Sequence, residues 1–165
     1  GKISLLAVFS FDKQVVKLDA DKQCVAELDI NVPIKATIGK KEITIGTGEE
    51  FLHGRLSIQN ALRRVQTSAR FNRGGRGRDQ KMQAVDRFTL AEHNYVEQKL
   101  HVYTYKLVDL CVKFKCGKLV LKKQIEKEEE AKKDEQYLLR NWSYYGMKEK
   151  LQYKCNKYGI ELIVE

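Results

Sequence analysis

"CVAELDINVPIKAT" occupies residues 24–37. Its apolar residues alternate, the period of a strand with one buried face, and an aspartate, Asp29, lies inside the run. Pro33 has no N–H for a sheet ladder, so the strand is expected to bend or end near it. A Gly-Lys turn follows at 38–41. Residues 41–47, "KEITIGT", then read as the return strand of a hairpin, and residues 49–53 as a third, short strand. On the other side, 19–23 read as a polar break. Before it, "ISLLAVFSF" at 3–11 is a β-rich apolar run with which 15–18 would pair.

Near Leu56 the hydrophobic period changes from two to about 3.6. Leu56, Ala61, Leu62, Val65 and Ala69 predict a helix over 57–70 with arginines on its opposite face. "ARFNRGGRGRDQK", residues 69–81, then predicts a flexible cationic loop. Glycine tolerates positive φ there and is costly inside a helix, by ~1 kcal/mol relative to alanine. From 80 to 114 apolar residues recur every three or four positions, which predicts a second helix, with a break near its middle allowed. Cys116-Gly117 ends it. Residues 118–121 read as a strand, 126–135 as a charged insert, 144–158 as a helix capped by Gly159, and 160–164 as a last strand. This order predicts an α/β fold with one mixed sheet and an inserted arginine-rich helical pair, in the ribonuclease-H-like order.

The chain has 165 residues and a formal net charge of +9, enough length for a substantial core. The charge is uneven. Between Arg55 and Lys81 stand eight basic residues against one acid, Asp79. Such local basicity suits a polyanionic partner, and arginine's planar fork grips phosphate oxygens in pairs. Arg63, Arg64, Arg70, Arg73, Arg76, Arg78 and Lys81 are the candidate nucleic-acid-binding residues. No apolar run approaches the ~20 residues of a membrane span. Cys24, Cys111, Cys116 and Cys155 form no CxxC pair, and Cys24, Cys111 and Cys155 are most simply small core residues. The three histidines show no metal spacing, although His53 adjoins the arginine-rich helix. Trp142, Tyr144 and Tyr145 read as a helix anchor more readily than as a base-stacking platform, with Ser143 as its N-cap.

Asp29 carries the candidate chemistry. Two-metal nucleases gather carboxylates from rigid strand ends around Mg²⁺, which activates water and stabilises the leaving oxygen. By spacing alone, Asp29 is equally a strand-end acid bonded to a turn.

Three stretches together carry a resemblance: "DINVPIKAT", "RFNRGGRGRDQKMQAVDRF" and "LLRNWSYYGMKEKLQYKCNKYGIELIVE". They are similar to the RuvC-like nuclease region of transposon-encoded TnpB proteins and compact type V CRISPR effectors. The resemblance covers residues 24–165. It implies RNA-guided binding and cleavage of DNA, with a guide RNA and target DNA as partners, Mg²⁺ at an RNase-H-like site of three acids, and a prokaryotic cytosolic or nucleoid setting. The first acid falls on Asp29. The second belongs at the end of the strand after the helical pair, where "KLVLKKQIEK" puts Lys122; Glu126 would serve only if the register slips. The third acid and the family's zinc ribbon lie beyond residue 165, so zinc is not expected within this stretch. Residues 1–20 would be the tail of a preceding β-rich nucleic-acid-binding domain, and 21–165 a RuvC-like domain of a longer protein. The lysine leaves an alternative, a nuclease-dead, repressor-like DNA binder guided by RNA; a further alternative, a non-catalytic RNA-binding domain, explains the charge but not the resemblance.

Overall fold

The computed structural model describes residues 8, 10, 16–28, 34–70, 76–122 and 144–165. Its elements are β1 (Asp19–Leu28), β2 (Ile34–Ile38), β3 (Lys41–Ile45), α1 (Gly48–Arg70), α2 (Arg76–Lys113), β4 (Cys116–Leu121), α3 (Tyr144–Tyr158) and β5 (Glu161–Val164). The strands form one five-stranded sheet in the order β3-β2-β1-β4-β5. β1, β2 and β3 are antiparallel neighbours, whereas β4 runs parallel to both β1 and β5. The mixed sheet and the inserted helical pair expected from the sequence are both present.

Alternation builds the core. Cys24 and Ala26 of β1 and Ile34, Ala36 and Ile38 of β2 are buried at every second position, whereas Leu119, Val120 and Leu121 of β4 are buried in succession. Against them pack Val96, Leu100, Tyr103, Leu107 and Cys111, one α2 stripe at three- and four-residue spacing, and Met147, Leu151 and Cys155 of α3. All four cysteines are free and buried, Cys116 together with the three expected in the core.

Several expectations are corrected. Residues 24–37 are two strands: β1 pairs antiparallel with β2, and β2 starts at Ile34, directly after Pro33. Residues 19–23 are no break but the start of β1. The ladder to β4 recruits them despite their polarity, with Asp19 opposite Cys116, Gln23 opposite Lys118 and a register shift between. Gly117 makes that approach possible, since a Cβ there would lie 2.6 Å from the Asp19 carbonyl oxygen. Residues 49–53 are helical. The Thr47 hydroxyl accepts from Glu50 N at 3.4 Å, and Glu49 and Glu50 occupy the first turn, where the helix dipole favours acids.

The cationic loop is also shorter than its sequence suggests. Arg70 ends α1, and Arg76, Arg78 and Lys81 already belong to α2. The cost of Gly77 in the first turn is carried by a helix of 38 residues, with Asp79 at its positive end. α2 is unbroken, about 57 Å long at ~1.5 Å per residue. It stops at Phe114-Lys115 rather than at Cys116-Gly117, with Lys115 in the left-handed region (φ 56°). The expected strand at 3–11 and the insert at 126–135 fall wholly or mostly outside the described residues, and so do Asp29, Arg73, Glu126, Trp142 and Ser143.

Candidate functional site

Two places in this fold can carry function. The first is the carboxyl end of the parallel pair β1 and β4. In open sheets, the point where strand order reverses leaves a crevice at strand ends. Here the chain leaves β1 toward β2 on one side, and β4 lies on the other. Lys122 N donates to Ala26 O at 3.0 Å, which extends the ladder one residue past β4, and Glu165 N donates to Leu121 O at 3.1 Å. This brings Lys122 beside Glu27. Its Nζ donates to Glu27 Oε1 at 2.6 Å, with both side chains partly exposed.

The charge at this strand end is therefore an ammonium–carboxylate pair. Magnesium takes oxygen ligands. An ammonium has no lone pair to give and repels a dication. Among the described residues, no group of three or more His, Cys, Asp or Glu could hold a metal ion. The described residues here do not fit a Mg²⁺ site. Asp29 and Glu126 lie outside the described residues.

The second place is the α1–α2 hairpin. Arg63 and Arg64 are exposed on α1, and Arg87 is exposed on α2. Arg70 ends α1, and Arg76, Arg78 and Lys81 fall in the opening turns of α2, so the backbone places all four at the same end of the helical pair. His53 is exposed on α1. Arg55, counted above with the cationic segment, is not available to a ligand. It is completely buried, and its Nε and Nη2 donate to Glu92 Oε1 at 3.3 and 3.0 Å. Gln59 Nε2 holds the other carboxylate oxygen at 2.9 Å. At the open end of the hairpin, Tyr95 OH donates to Glu50 O at 3.2 Å, and Lys99 forms an ion pair with Glu50. The hydrogen bond from Lys99, and then its charge, holds the Glu50 carboxyl below the usual range. Gly54 lies under the Tyr95 ring, where a Cβ would collide with the phenol.

Sequence reading missed Arg87, which sits alone in an otherwise mixed stretch. It also missed the lysines and tyrosines along the α2–α3 contact, where the helical period spreads them between lines of core residues.

No protein-family model matches the sequence. The chain is 26% identical over 159 residues to the CRISPR-associated endodeoxyribonuclease Cas12f1 of Sulfoacidibacillus thermotolerans, which covers 94% of this chain and 37% of that protein. A second, from Syntrophomonas palmitatica, is 28% identical over 110 residues, 66% of this chain and 20% of that protein. The fold is similar to that in a CRISPR-Cas12f ternary complex, with a TM-score of 0.71 at 20% identity over 94% of this chain and 30% of that one. A Cas12f1-sgRNA-target DNA complex gives 0.70 at 18% identity over 91% and 30%. This chain thus spans little more than a third of the first of these relatives. Among the described residues, no helix is long and apolar enough to cross a membrane.

Proposed function

We propose that this chain is the RuvC-like part of an RNA-guided DNA endonuclease, and that it helps to hold a guide RNA paired with target DNA. The similarity to Cas12f1 over 94% of the chain carries the reading. The hairpin supports it: exposed Arg63, Arg64 and Arg87 can meet phosphates, while base pairing with the guide supplies sequence specificity. The family's Mg²⁺ chemistry would need Asp29 and acids other than those at the end of β4.

The Lys122–Glu27 ion pair favours a second reading, in which guided DNA is bound and not cut. A fixed ammonium at the end of β4 neutralises a carboxylate where a metal would need more of them.

The test uses the complete gene product that carries this chain, purified from its host with any RNA it retains. Specific RNA should co-purify, and DNA complementary to that RNA should bind far more tightly than mismatched DNA. Plasmid cleavage with Mg²⁺ that disappears in Asp29→Ala selects the endonuclease. Guided binding without cleavage selects the second reading. Absence of RNA-dependent DNA binding overturns both. The 165-residue chain alone is expected to show no Mg²⁺- or Mn²⁺-dependent nicking.

A further inference from the structure

The α2–α3 contact has an outer seam whose chemistry differs from that of the arginine hairpin. Along it the two helices run side by side from Glu97 and Lys150, an ion pair of 2.6 Å. Next, Lys154 Nζ donates to His101 O at 2.8 Å, and Tyr153 OH lies 3.4 Å from His101 Nδ1. Farther on, Tyr105, Val108, Asp109, Val112, Lys154 and Tyr158 line a cleft. From Glu97 to Asp109 the seam is about 18 Å long at ~1.5 Å per residue. The cleft is open to solvent and offers only about 40 Å³, room for no more than a few waters, so a ligand must lie along the seam rather than enter it.

Three features suggest the ligand. First, aromatic rings are left in water: Tyr105 is 59% exposed and Tyr153 45%. Second, cations alternate with them. Lys154 Nζ lies 5.7 Å from the Tyr153 ring centroid, and Lys157 Nζ lies 5.6 Å from that of Tyr158. Third, the half-buried Lys154 ammonium is met by neutral oxygens only, His101 O and Thr104 Oγ1 (2.6 Å). Burial, and then the charge of Lys150, push its pKa down to about 8. A cation held this way gains from an incoming anion.

Rings that stack on any base, interleaved with cations for the backbone, make a surface for single-stranded nucleic acid. The acids of the seam are already engaged, Glu97 by Lys150 and Asp109 by Lys113 at 2.7 Å. Asp109 is still an acceptor at the lip of the cleft. It would repel a phosphate but accept a hydrogen bond from a 2′-hydroxyl, the group that separates RNA from DNA.

We propose that the α2–α3 seam binds single-stranded RNA, with Tyr105 and Tyr153 stacking on bases and Lys154 and Lys157 meeting phosphates. This rests on the nucleic-acid reading above, but uses a different surface from the hairpin.

The test measures anisotropy of labelled oligo(U), oligo(dT) and an RNA–DNA duplex with the intact chain at low salt. The double variant Tyr105→Ala/Tyr153→Ala should bind oligo(U) about 10-fold or more weakly. The matching double phenylalanine variant should keep native affinity, because it keeps the rings. Both positions are exposed, so the native melting temperature should persist. Unchanged oligo(U) affinity in the alanine variant overturns the proposal, and equal affinity for oligo(dT) overturns the choice of RNA. Light scattering supplies another route to failure: self-association abolished by the alanine pair, with oligo(U) binding intact, would make the seam an interface between two copies of this chain. The duplex separates this proposal from the hairpin. Arg63→Gln/Arg64→Gln should weaken duplex and spare oligo(U); the tyrosine pair should do the reverse. Duplex binding that is unchanged in the arginine variant, with oligo(U) binding still lost in the tyrosine pair, would therefore count against the hairpin and leave the seam standing.

Discussion

The two halves of α2 are built by different physics. From Val96 to Cys111 it presents an apolar stripe to the sheet, and Leu100, Leu107 and Cys111 are fully buried. From Arg76 to Glu92 it pairs with α1 outside that core, and Met82 and Leu90 are 46% and 58% exposed. There the contact is held by Arg55, Glu92 and Gln59, and where the two halves join, Tyr95 and Lys99 add contacts to Glu50. Burial of area is non-directional and tolerates exchange of similar shapes. A buried ion pair must be complete, because removal of one partner strands the other. The core half should therefore unfold with the whole domain, and the hairpin half should be able to fail by itself.

The largest effect tests the core half. Leu107→Ala leaves a cavity beneath the sheet and should cost about 2–5 kcal/mol of global stability by denaturant titration. Leu90→Ala, the same change on the same helix, should stay within about 0.5 kcal/mol. Similar costs at both positions would erase the distinction between the halves.

Next comes the hairpin. Arg55→Ala leaves the Glu92 carboxylate without its fully buried partner and should cost about 3 kcal/mol. The loss should be local. Hydrogen exchange should accelerate in α1 and in α2 before Val96, while amides of β1, β4 and the rest of α2 keep native protection. Uniform acceleration across all elements would show one cooperative unit.

The same contrast explains what the sequence reveals. α3 and the buried half of α2 follow their hydrophobic period, and β4 and β5 read as short continuous apolar runs, LVL and LIV, which suits strands beside a parallel neighbour. Residues 19–23 carry neither signal, since their extension comes from pairing with Cys116 and Lys118, far away in the chain. The start of α1 was concealed by apolar residues in Glu49–His53, although the Thr47 cap and the paired acids were legible. Arg55 reads as one more surface arginine until Glu92, 37 residues on, is placed against it. At the candidate site, Lys122 stands at the strand end that the resemblance indicated, but its bond to Glu27 needs the parallel register of β1 and β4.

A subtler effect concerns the α2–α3 contact. Folded Lys154 titrates at about 8, against 10.5 for an unperturbed lysine, with burial the larger cause and Lys150 the second. Between those values the unfolded chain binds more protons, so this group makes stability rise with pH through that window. Around it lie Lys150, His101, Tyr153, Asp109 and Tyr158. Cys111, Cys116 and Cys155, whose thiols are pushed upward, act in the opposite sense above pH 9. The comparison is thus between proteins: from pH 7 to 9, Lys154→Met should lose the rising component seen in the native chain. Parallel stability profiles would show that the ammonium is not strained by folding.

The smallest expected effect on stability returns to the hairpin and separates its arginines into two kinds. Arg63 and Arg64 are exposed a little over two turns beyond the buried Arg55 on the same helix. Exposed charges exchange a water-solvated state for another, so Arg63→Gln/Arg64→Gln should change stability by no more than about 0.5 kcal/mol. Their contribution lies in the field outside the protein. If both meet phosphates of an RNA–DNA duplex, their removal should flatten the slope of log K against log[salt] by about 1.5, near the −0.7 to −0.9 of each contact. Arg55→Met should show the converse pattern, with altered hairpin stability and a native salt slope wherever the hairpin is still folded. A salt slope that responds equally to Arg55 and to the exposed pair would mean that binding reads the fold of the hairpin rather than its outward charges.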